Sequence, residues 1–473
     1  MKVVLVNPPT DNAIQTELPW YIARGAGVFP PLGLMYLASY LRRRLNGCEV
    51  MILDSIAEGQ KAAGILRRLA AFGPDVVGIT AHTHNLVDVV ALAQGVKKIN
   101  PGIHVTLGGP HPTVFPQASV ALEGVDTAVI GEGEVVFADL VACLAQGGDP
   151  KTVAGMFLKQ GATISYTGPA AAPQDLDALP FPERHGLNLS RYRYAVNAAP
   201  GLMTTMVATR GCEGRCIFCS TPRARFRKRS PANIADEMEA CARMGIREVH
   251  FVDDTFNAEP EHAIAVCDEI RRRGLPVRWG IRARADKLPR ELLDRLKESG
   301  CHRVAIGAET ASDEGLRMLG KGTTLGQVKA AFSGAREAGL TTVAYFMLGC
   351  PHEKTKADVE QTIDFAVALD PDYAMFNILT PYPGTPLYED GVKAGVVAPN
   401  AWESFAREPR KDFRIPYREE WLKREELERL LSRAYRRFYL RPRFVFKALK
   451  RTRRPGVLVR KAVVAARILK GAH

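Results

Sequence analysis

Two parallel-sheet α/β bodies in series, joined by a proline-rich link and followed by a basic helical region, are what these 473 residues predict. Three observations carry that prediction. Short β-branched runs alternate with longer helical patterns through residues 1–150 and again through 201–400. The strand-like runs are apolar on both faces, as strands covered by helices on each side must be. Glycines and chemistry-bearing side chains gather just after the runs, where parallel sheets place their ligands.

In the first body the pattern predicts strands over Lys2–Val6, Glu49–Leu53, Asp75–Thr80, His104–Leu107 and Thr127–Ile130. Leu32–Leu45, Glu58–Ala71 and Leu86–Ile99 carry apolar residues at helical spacing between them. This describes a doubly wound sheet, which binds ligands in the crevice at its strand C-termini. The loops there read Asn7-Pro8-Pro9, Thr80-Ala81-His82, Gly108-Gly109-Pro110-His111-Pro112-Thr113 and Gly131-Glu132-Gly133-Glu134. Glycine at such places either lets backbone approach a cofactor-sized ligand or makes a tight turn. No G-x-G-x-x-G follows the first strand, which counts against a dinucleotide. Residues 151–200, with Pro169, Pro173, Pro180 and Pro182, read as a mostly extended linker.

The second body opens with TRGCEGRCIFCSTP at 209–222, a CxxxCxxC spacing directly after the apolar run Met203–Ala208. A structural zinc site wants four ligands in paired Cys/His spacings, and no fourth Cys or His is near. An iron–sulfur cluster fits better: thiolates are its usual ligands, and three leave one iron open to an exogenous molecule. Helices at 231–244, 261–273, 290–299, 325–338 and 356–369 then alternate with strands His250–Val252, Val277–Ile281, Val304–Ile306, Thr341–Leu348 and Ala374–Leu379. With the strand before the cysteines this makes six, a partial parallel barrel. Its strand ends carry Asp253-Asp254, Arg282 and Arg284, Glu309 and Thr310, Gly349 to Glu353, and Tyr382 to Tyr388. Together they line one mouth with groups suited to an amino-acid head group and a ribose, although each alone reads equally as a helix cap or an ion pair.

Composition adds limits. At 46% hydrophobic and 24% charged residues the chain is ordinary for a folded protein, which excludes wholesale disorder and a membrane-embedded body. The net charge of +13 sits in residues 433–470, which hold fourteen Lys and Arg and no Asp or Glu; the remaining residues hold 50 Lys and Arg against 51 Asp and Glu. A duplex-binding body is therefore not implied, and no nucleic-acid partner is expected. The run MKVVLVNPP is too short for a signal peptide and no stretch suffices to span a bilayer, so a cytoplasmic location is expected. Nine cysteines, an odd number, point to reduced thiols or metal ligands.

CxxxCxxC with Phe218 before the third cysteine resembles the radical S-adenosylmethionine (radical SAM) superfamily. NPP, PPLGL at Pro30 to Leu34, GGPHPT, GEGE, GCPHE and PYPGTP are similar to its branch with an N-terminal cobalamin-binding domain, over about residues 1 to 400. The resemblance implies a cobalamin domain at 1–150, a radical SAM domain at 201–400 and a helical basic region at 401–473. It implies that Cys212, Cys216 and Cys219 hold a 4Fe-4S cluster whose open iron chelates S-adenosylmethionine, which an electron cleaves to methionine and a 5′-deoxyadenosyl radical. Asp253, Arg282, Glu309, Gly349 and Glu353 would hold the nucleoside and methionine portions. Gly108, Gly109, His111, Thr113, Gly131 and Glu132 would face the cobalamin, bound without the usual D-x-H-x-x-G histidine, since Asn7-Pro8-Pro9-Thr10 stands there.

The implied reaction is methylation of an unactivated carbon, with oxidative cyclisation or ring rearrangement as the alternative. A tRNA methylthiotransferase is disfavoured because only Cys48 and Cys143 precede residue 200. An electron donor of the flavodoxin or ferredoxin kind is implied. Residues 421–439 read as an amphipathic helix, and RFVFKALKRTRR and VLVRKAVVAARILK beyond it mix apolar with cationic residues. That tail suits an anionic membrane surface and a lipid-like substrate, or else packs on the barrel.

Overall fold

A computed structural model describes residues 1–14, 27–194, 201–221 and 225–451, the side chains of 447–451 excepted. The chain forms two compact units.

The first unit is built on β1 (Lys2–Asn7), α1 (Leu32–Arg44), β2 (Glu49–Asp54), α2 (Ala62–Phe72), β3 (Val76–Thr80), α3 (Leu86–Ile99), β4 (His104–Gly108), β5 (Thr127–Val129) and α4 (Glu134–Ala145). Its strands run in the order β2-β1-β3-β4-β5, all parallel, so the winding reverses between β1 and β3. Val3, Leu5, Met35, Phe137 and Leu140 fill the layer between sheet and helices. Gly78 in β3 is needed there, because a Cβ would sit 3.0 Å from Leu5 and 3.2 Å from Phe137.

The expected linker is partly sheet. Met156–Gln160 (β6) and Thr163–Tyr166 (β7) form an antiparallel hairpin that extends the sheet beyond β5. Two residues join them, Gly161 taking a φ of 59°, and Phe157 stacks on Tyr166 across the strands at 4.9 Å. The expected helical region at 401–473 is also divided, since Pro399–Ile415 packs with the first unit. Trp402 is buried there beside the stacked rings of Phe405 and Phe413.

The second unit is the expected parallel half-barrel. β8 (Leu202–Met206), α5 (Pro231–Arg243), β9 (Ile246–Phe251), α6 (Pro260–Arg272), β10 (Arg278–Ala283), α7 (Arg290–Glu298), β11 (Cys301–Glu309), α8 (Leu325–Glu337), β12 (Thr341–Leu348), α9 (Lys356–Leu369) and β13 (Tyr373–Ile378) alternate, and the six strands lie side by side in sequence order. Ser230, Thr324 and Thr355 cap α5, α8 and α9 through their hydroxyls. Phe251, Phe256 and Trp279 form the aromatic core, with the Trp279 indole N–H donating to Ser299 O at 2.9 Å.

The amphipathic helix of the tail is α10 (Arg424–Tyr439), and its apolar face is spent inside this unit. Leu427, Leu430, Leu431, Ala434, Tyr435 and Phe438 are buried. Tyr435 accepts from Phe376 N at 3.2 Å and donates to Phe376 O at 3.0 Å; Tyr439 does the same with Ala374 at 3.2 and 2.7 Å. Two phenols thus satisfy the backbone of edge strand β13, which would otherwise offer itself for pairing. VLVRKAVVAARILK lies outside the described residues. Among the described residues no helix is long and apolar enough to cross a membrane.

Candidate functional site

In the second unit the cysteine loop starts where β8 ends, and a buried carboxylate holds it there. Asp253, just past β9, accepts from Ala208 N at 2.9 Å, Thr209 N at 2.5 Å and Thr209 Oγ1 at 2.7 Å, all through Oδ1. Burial pushes its carboxyl up to about 6 against those bonds. Asp253 is 1% exposed; its Oδ1 anchors the loop, while its buried Oδ2 has no hydrogen-bond partner among the described residues.

Cys212 and Cys216 are half-buried and Cys219 is exposed. Gly214 N donates to Cys212 Sγ at 3.3 Å, and Thr255 Oγ1 lies 3.7 Å from the same sulfur. Backbone bonds clamp the loop from two sides, Ile217 N to Leu319 O and Leu387 N to Ile217 O, each at 3.0 Å. Burial pushes the Cys216 thiol up. Among the described residues no three metal-ligating side chains are drawn together, so the structure brings the three thiols onto one clamped loop without converging them.

Beside the loop lies a set of fixed charges. Arg284 is bound to Asp286 at 3.0 and 3.1 Å and donates to Lys321 O at 2.6 Å. Asn257, fully buried, holds the Arg284 backbone by accepting from its N at 2.9 Å and donating to its O at 3.0 Å. Lys321 pairs with Glu309. Glu309 ends β11 in the left-handed region at φ 63°, a conformation that costs a non-glycine residue about 1–3 kcal/mol and tends to mark functional sites. Gly307 makes this possible, since a Cβ there would come within 2.6 Å of Lys321 Nζ and closer to the Glu309 carboxylate. Arg282 is exposed on the last turn of β10. Asp254 nearby has its carboxyl pushed up by burial, with Thr221 and Arg282 opposing.

Glu353 anchors a second loop. It is 1% exposed and accepts from Gly349 N at 2.7 Å and Cys350 N at 2.9 Å, while Thr362 donates to its other oxygen at 2.7 Å. The expected cofactor contact pins its own loop, and Gly349 N is committed to it. Burial pushes the Glu353 carboxyl up to about 7.

In the first unit, Gly108, Gly109 and Gly131 stand at the carboxyl edge as expected. A Cβ on Gly108 or Gly131 would meet nothing within 4 Å, whereas Gly109 at φ 100° has Thr80 and Ala81 within 3.0 and 3.2 Å. Thr113 laces two loops, donating to Gly109 O at 2.9 Å and accepting from Gly131 N at 3.0 Å. Glu132 is half-buried. His111 is fully buried; its Nδ1 lies 3.0 Å from Thr83 Oγ1, and among the described residues its Nε2 has no hydrogen-bond partner. Burial pushes His84 and His111 down to about 4 and lowers His82, so this edge carries neutral imidazoles.

Sequence reasoning misses Asn257, Lys321 and Gly307. Gly307 stands two residues before Glu309, but nothing in one sequence says that a lysine twelve residues on returns to Glu309. Asn257 carries no signal.

These two architectures, a cysteine loop at the mouth of a parallel half-barrel in one unit and a doubly wound sheet with a glycine-rich edge in the other, have known counterparts. Residues 206–366 match the model of the radical SAM superfamily and residues 20–141 that of the B12 binding domain. An uncharacterised methyltransferase of Pyrococcus horikoshii, PH0819, is 34% identical over 454 residues, 94% of each chain. The anaerobic magnesium-protoporphyrin IX monomethyl ester cyclase of Rubrivivax gelatinosus is 30% identical over 77% of this chain and 67% of its own. The structure of TsrM, a radical S-adenosylmethionine methyltransferase from Kitasatospora setae, with cobalamin and a 4Fe-4S cluster bound, superposes with a TM-score of 0.76 over 99% of both chains at 21% identity.

The chain belongs to the B12-binding branch of the radical SAM superfamily and is an enzyme of that class. The residues present fit the groups the family implies. Three thiols share one loop, a backbone N–H already points at one sulfur, and Arg284 and Lys321 supply positive charge beside the anionic donor set. At the first unit's edge, open glycines and the orphaned Nε2 of buried His111 suit a large polar cofactor.

Proposed function

We propose that the protein is a cobalamin-dependent radical SAM C-methyltransferase acting on a small molecule. In this reading Cys212, Cys216 and Cys219 hold a 4Fe-4S cluster, Arg282 and Glu309 hold S-adenosylmethionine, and Gly108, Gly109, His111, Thr113, Gly131 and Glu132 face cobalamin. When bound, these cofactors supply the carbon-activating radical and the methyl group.

The protein's own work is placement. Asp253 fixes where the cysteine loop leaves β8, and Glu353 fixes the loop after β12. Lys321 neutralises Glu309 through one of its carboxylate oxygens. Asn257 and Asp286 keep Arg284 beside the thiols, where it favours their anionic form. Thr113 sets the spacing of the two glycine loops at the first unit's edge.

The observation that carries the reading is the 34% identity to the Pyrococcus methyltransferase over 94% of both chains. The similarity to the Rubrivivax cyclase favours a second reading, oxidative cyclisation with the same cofactors and no methyl transfer. A flavodoxin- or ferredoxin-type donor and a cytoplasmic location complete the proposal. A lipid-like substrate and peripheral membrane contact rest on the basic residues beyond α10.

The test is mass spectrometry of products from anaerobically reconstituted protein given S-adenosylmethionine, cobalamin and a strong reductant. Methyl transfer predicts S-adenosylhomocysteine and 5′-deoxyadenosine together, the latter lost in Cys216→Ala. Deoxyadenosine alone supports the cyclase reading, and neither product refutes both.

A further inference from the structure

Inside the half-barrel one register layer carries chemistry that cofactor binding does not use. Thr205 pairs with His250, His250 with Gly280, Gly280 with Arg303 and Arg303 with Thr341 across successive strands. Arg303 shares its strand face with Gly307, whose missing Cβ would point at Glu309 and Lys321, so it faces the barrel interior. Val304 and Ile306 on the other face are fully buried.

Arg303 is 5% exposed, and the surroundings of its guanidinium are built around it. Its Cζ lies 3.8 Å from the Tyr194 ring centroid. Nη2 donates to His250 Nδ1, and His250 Nε2 lies 3.1 Å from Glu248 Oε1. A guanidinium only donates, so His250 Nδ1 accepts and the imidazole proton sits on Nε2, facing Glu248. Gly280 leaves the room required, since a Cβ there would stand 3.2 Å from both Nε and Nη2. One side of the fork is thus fixed by the imidazole, and Glu248 Oε1, which also lies 3.1 Å from His302 Nε2, stands at the imidazole's far side. Among the described residues Nε and Nη1 have no acceptor. A buried guanidinium cannot shed its proton, and leaving two of its donors unpaired is unfavourable.

Above this layer burial is less complete. Arg282 is exposed, and Gly307, Tyr345 and Met375, which are register neighbours, are half-buried. Arg303 and Glu309 are six positions apart on β11, roughly 20 Å at the rise of a strand.

We propose that Arg303, stacked on Tyr194 and oriented by His250 and Glu248, binds an oxyanion, a carboxylate or a phosphate, at the far end of an elongated substrate. This deepens the methyltransferase reading and rests on it only in taking the half-barrel interior as the substrate's place.

The test is calorimetric titration of the reconstituted holoprotein with inorganic phosphate and, separately, with acetate, at constant ionic strength against chloride. The wild type is compared with Arg303→Gln and Gly280→Ala; the second keeps the charge and the fold's hydrogen bonds but pushes the fork aside. Expected is saturable binding of one or both anions, weakened about tenfold or more in each variant. Preference for phosphate or for acetate identifies the substrate's charged group. Binding no stronger than chloride in the wild type, or affinity unchanged in Arg303→Gln or in a folded Gly280→Ala, overturns the proposal. The titration requires no cleavage of S-adenosylmethionine, so failure of the methyltransferase reading leaves its result readable.

Discussion

Replacing Lys321 by methionine is expected to destabilise the second unit by about 3–5 kcal/mol, the cost of stranding one member of a buried ion pair. The burial supports the upper part of what such pairs show: the Lys321 and Glu309 side chains are 11% and 8% exposed. Glu309 is itself 6% exposed and stands between Ala308 and Thr310, both fully buried. At roughly 2–4 °C per kcal/mol for a unit of this size, the melting midpoint falls by roughly 6–20 °C. The double variant Lys321→Met with Glu309→Gln removes both charges and is expected to recover at least about 1 kcal/mol over the single one, since the coupling belongs to the pair. Thermal unfolding of the metal-free protein, followed by circular dichroism under anaerobic conditions, measures both. A Lys321→Met midpoint within about 2 °C of the parent, or a double variant no more stable than the single, would refute the reasoning that burial makes this pair costly to break.

Glu353 gives a pH dependence of defined sign. Its folded carboxyl sits at about 7, above the usual carboxylate value, so the folded state holds the proton more tightly; the stability it contributes is complete below about pH 4.5 and lost as pH rises through 7. Glu353→Gln is expected to flatten the fall in melting temperature between those limits, by roughly 2–3 kcal/mol; an unchanged slope would contradict the assignment. Asp253→Ala strands three donors of the cysteine loop and is expected to lower bound iron after reconstitution at least about twofold, read by colorimetric iron analysis, with a folded apoprotein. Tyr435→Phe with Tyr439→Phe unpairs the edge of β13 and is expected to cost about 2–4 kcal/mol and to raise aggregation, read by denaturant unfolding and light scattering.

The scaffold was legible in the sequence because periodicity reports burial on a local scale. Leu86–Ile99 and Thr341–Leu348 fall where the pattern places them, and the six strands of the half-barrel lie in sequence order. What periodicity does not report is company. Met156–Gln160 is a short run among prolines, and it is a strand because β5 offers it an open edge to pair with. The amphipathic stripe of α10 reads equally as a membrane face or a packing face. The hydroxyls of Tyr435 and Tyr439, seated on one strand's backbone, decide for packing.

The site shows the same division more sharply. A polar residue at the C-terminal end of a barrel strand is read as facing the ligand, because that is where the chemistry of such barrels lies. The loops that follow those strands have backbone N–H groups of their own to satisfy, and a carboxylate at the same position serves them equally well. Asp253 and Glu353 hold loops, whereas Glu309 pairs with Lys321 and Arg282 is exposed at its strand end. The two kinds differ in conformation and exposure, which a single sequence does not encode: Asp253 and Glu353 are each 1% exposed with local N–H partners, whereas Glu309 carries backbone strain and Arg282 is exposed. Strain at a strand end has to be held by something, and here Lys321 and the missing side chain of Gly307 hold it. That makes the Glu309–Lys321–Gly307 group the part of the mouth whose geometry the fold maintains at a cost, and the first place to expect a functional contact when the cofactors are bound.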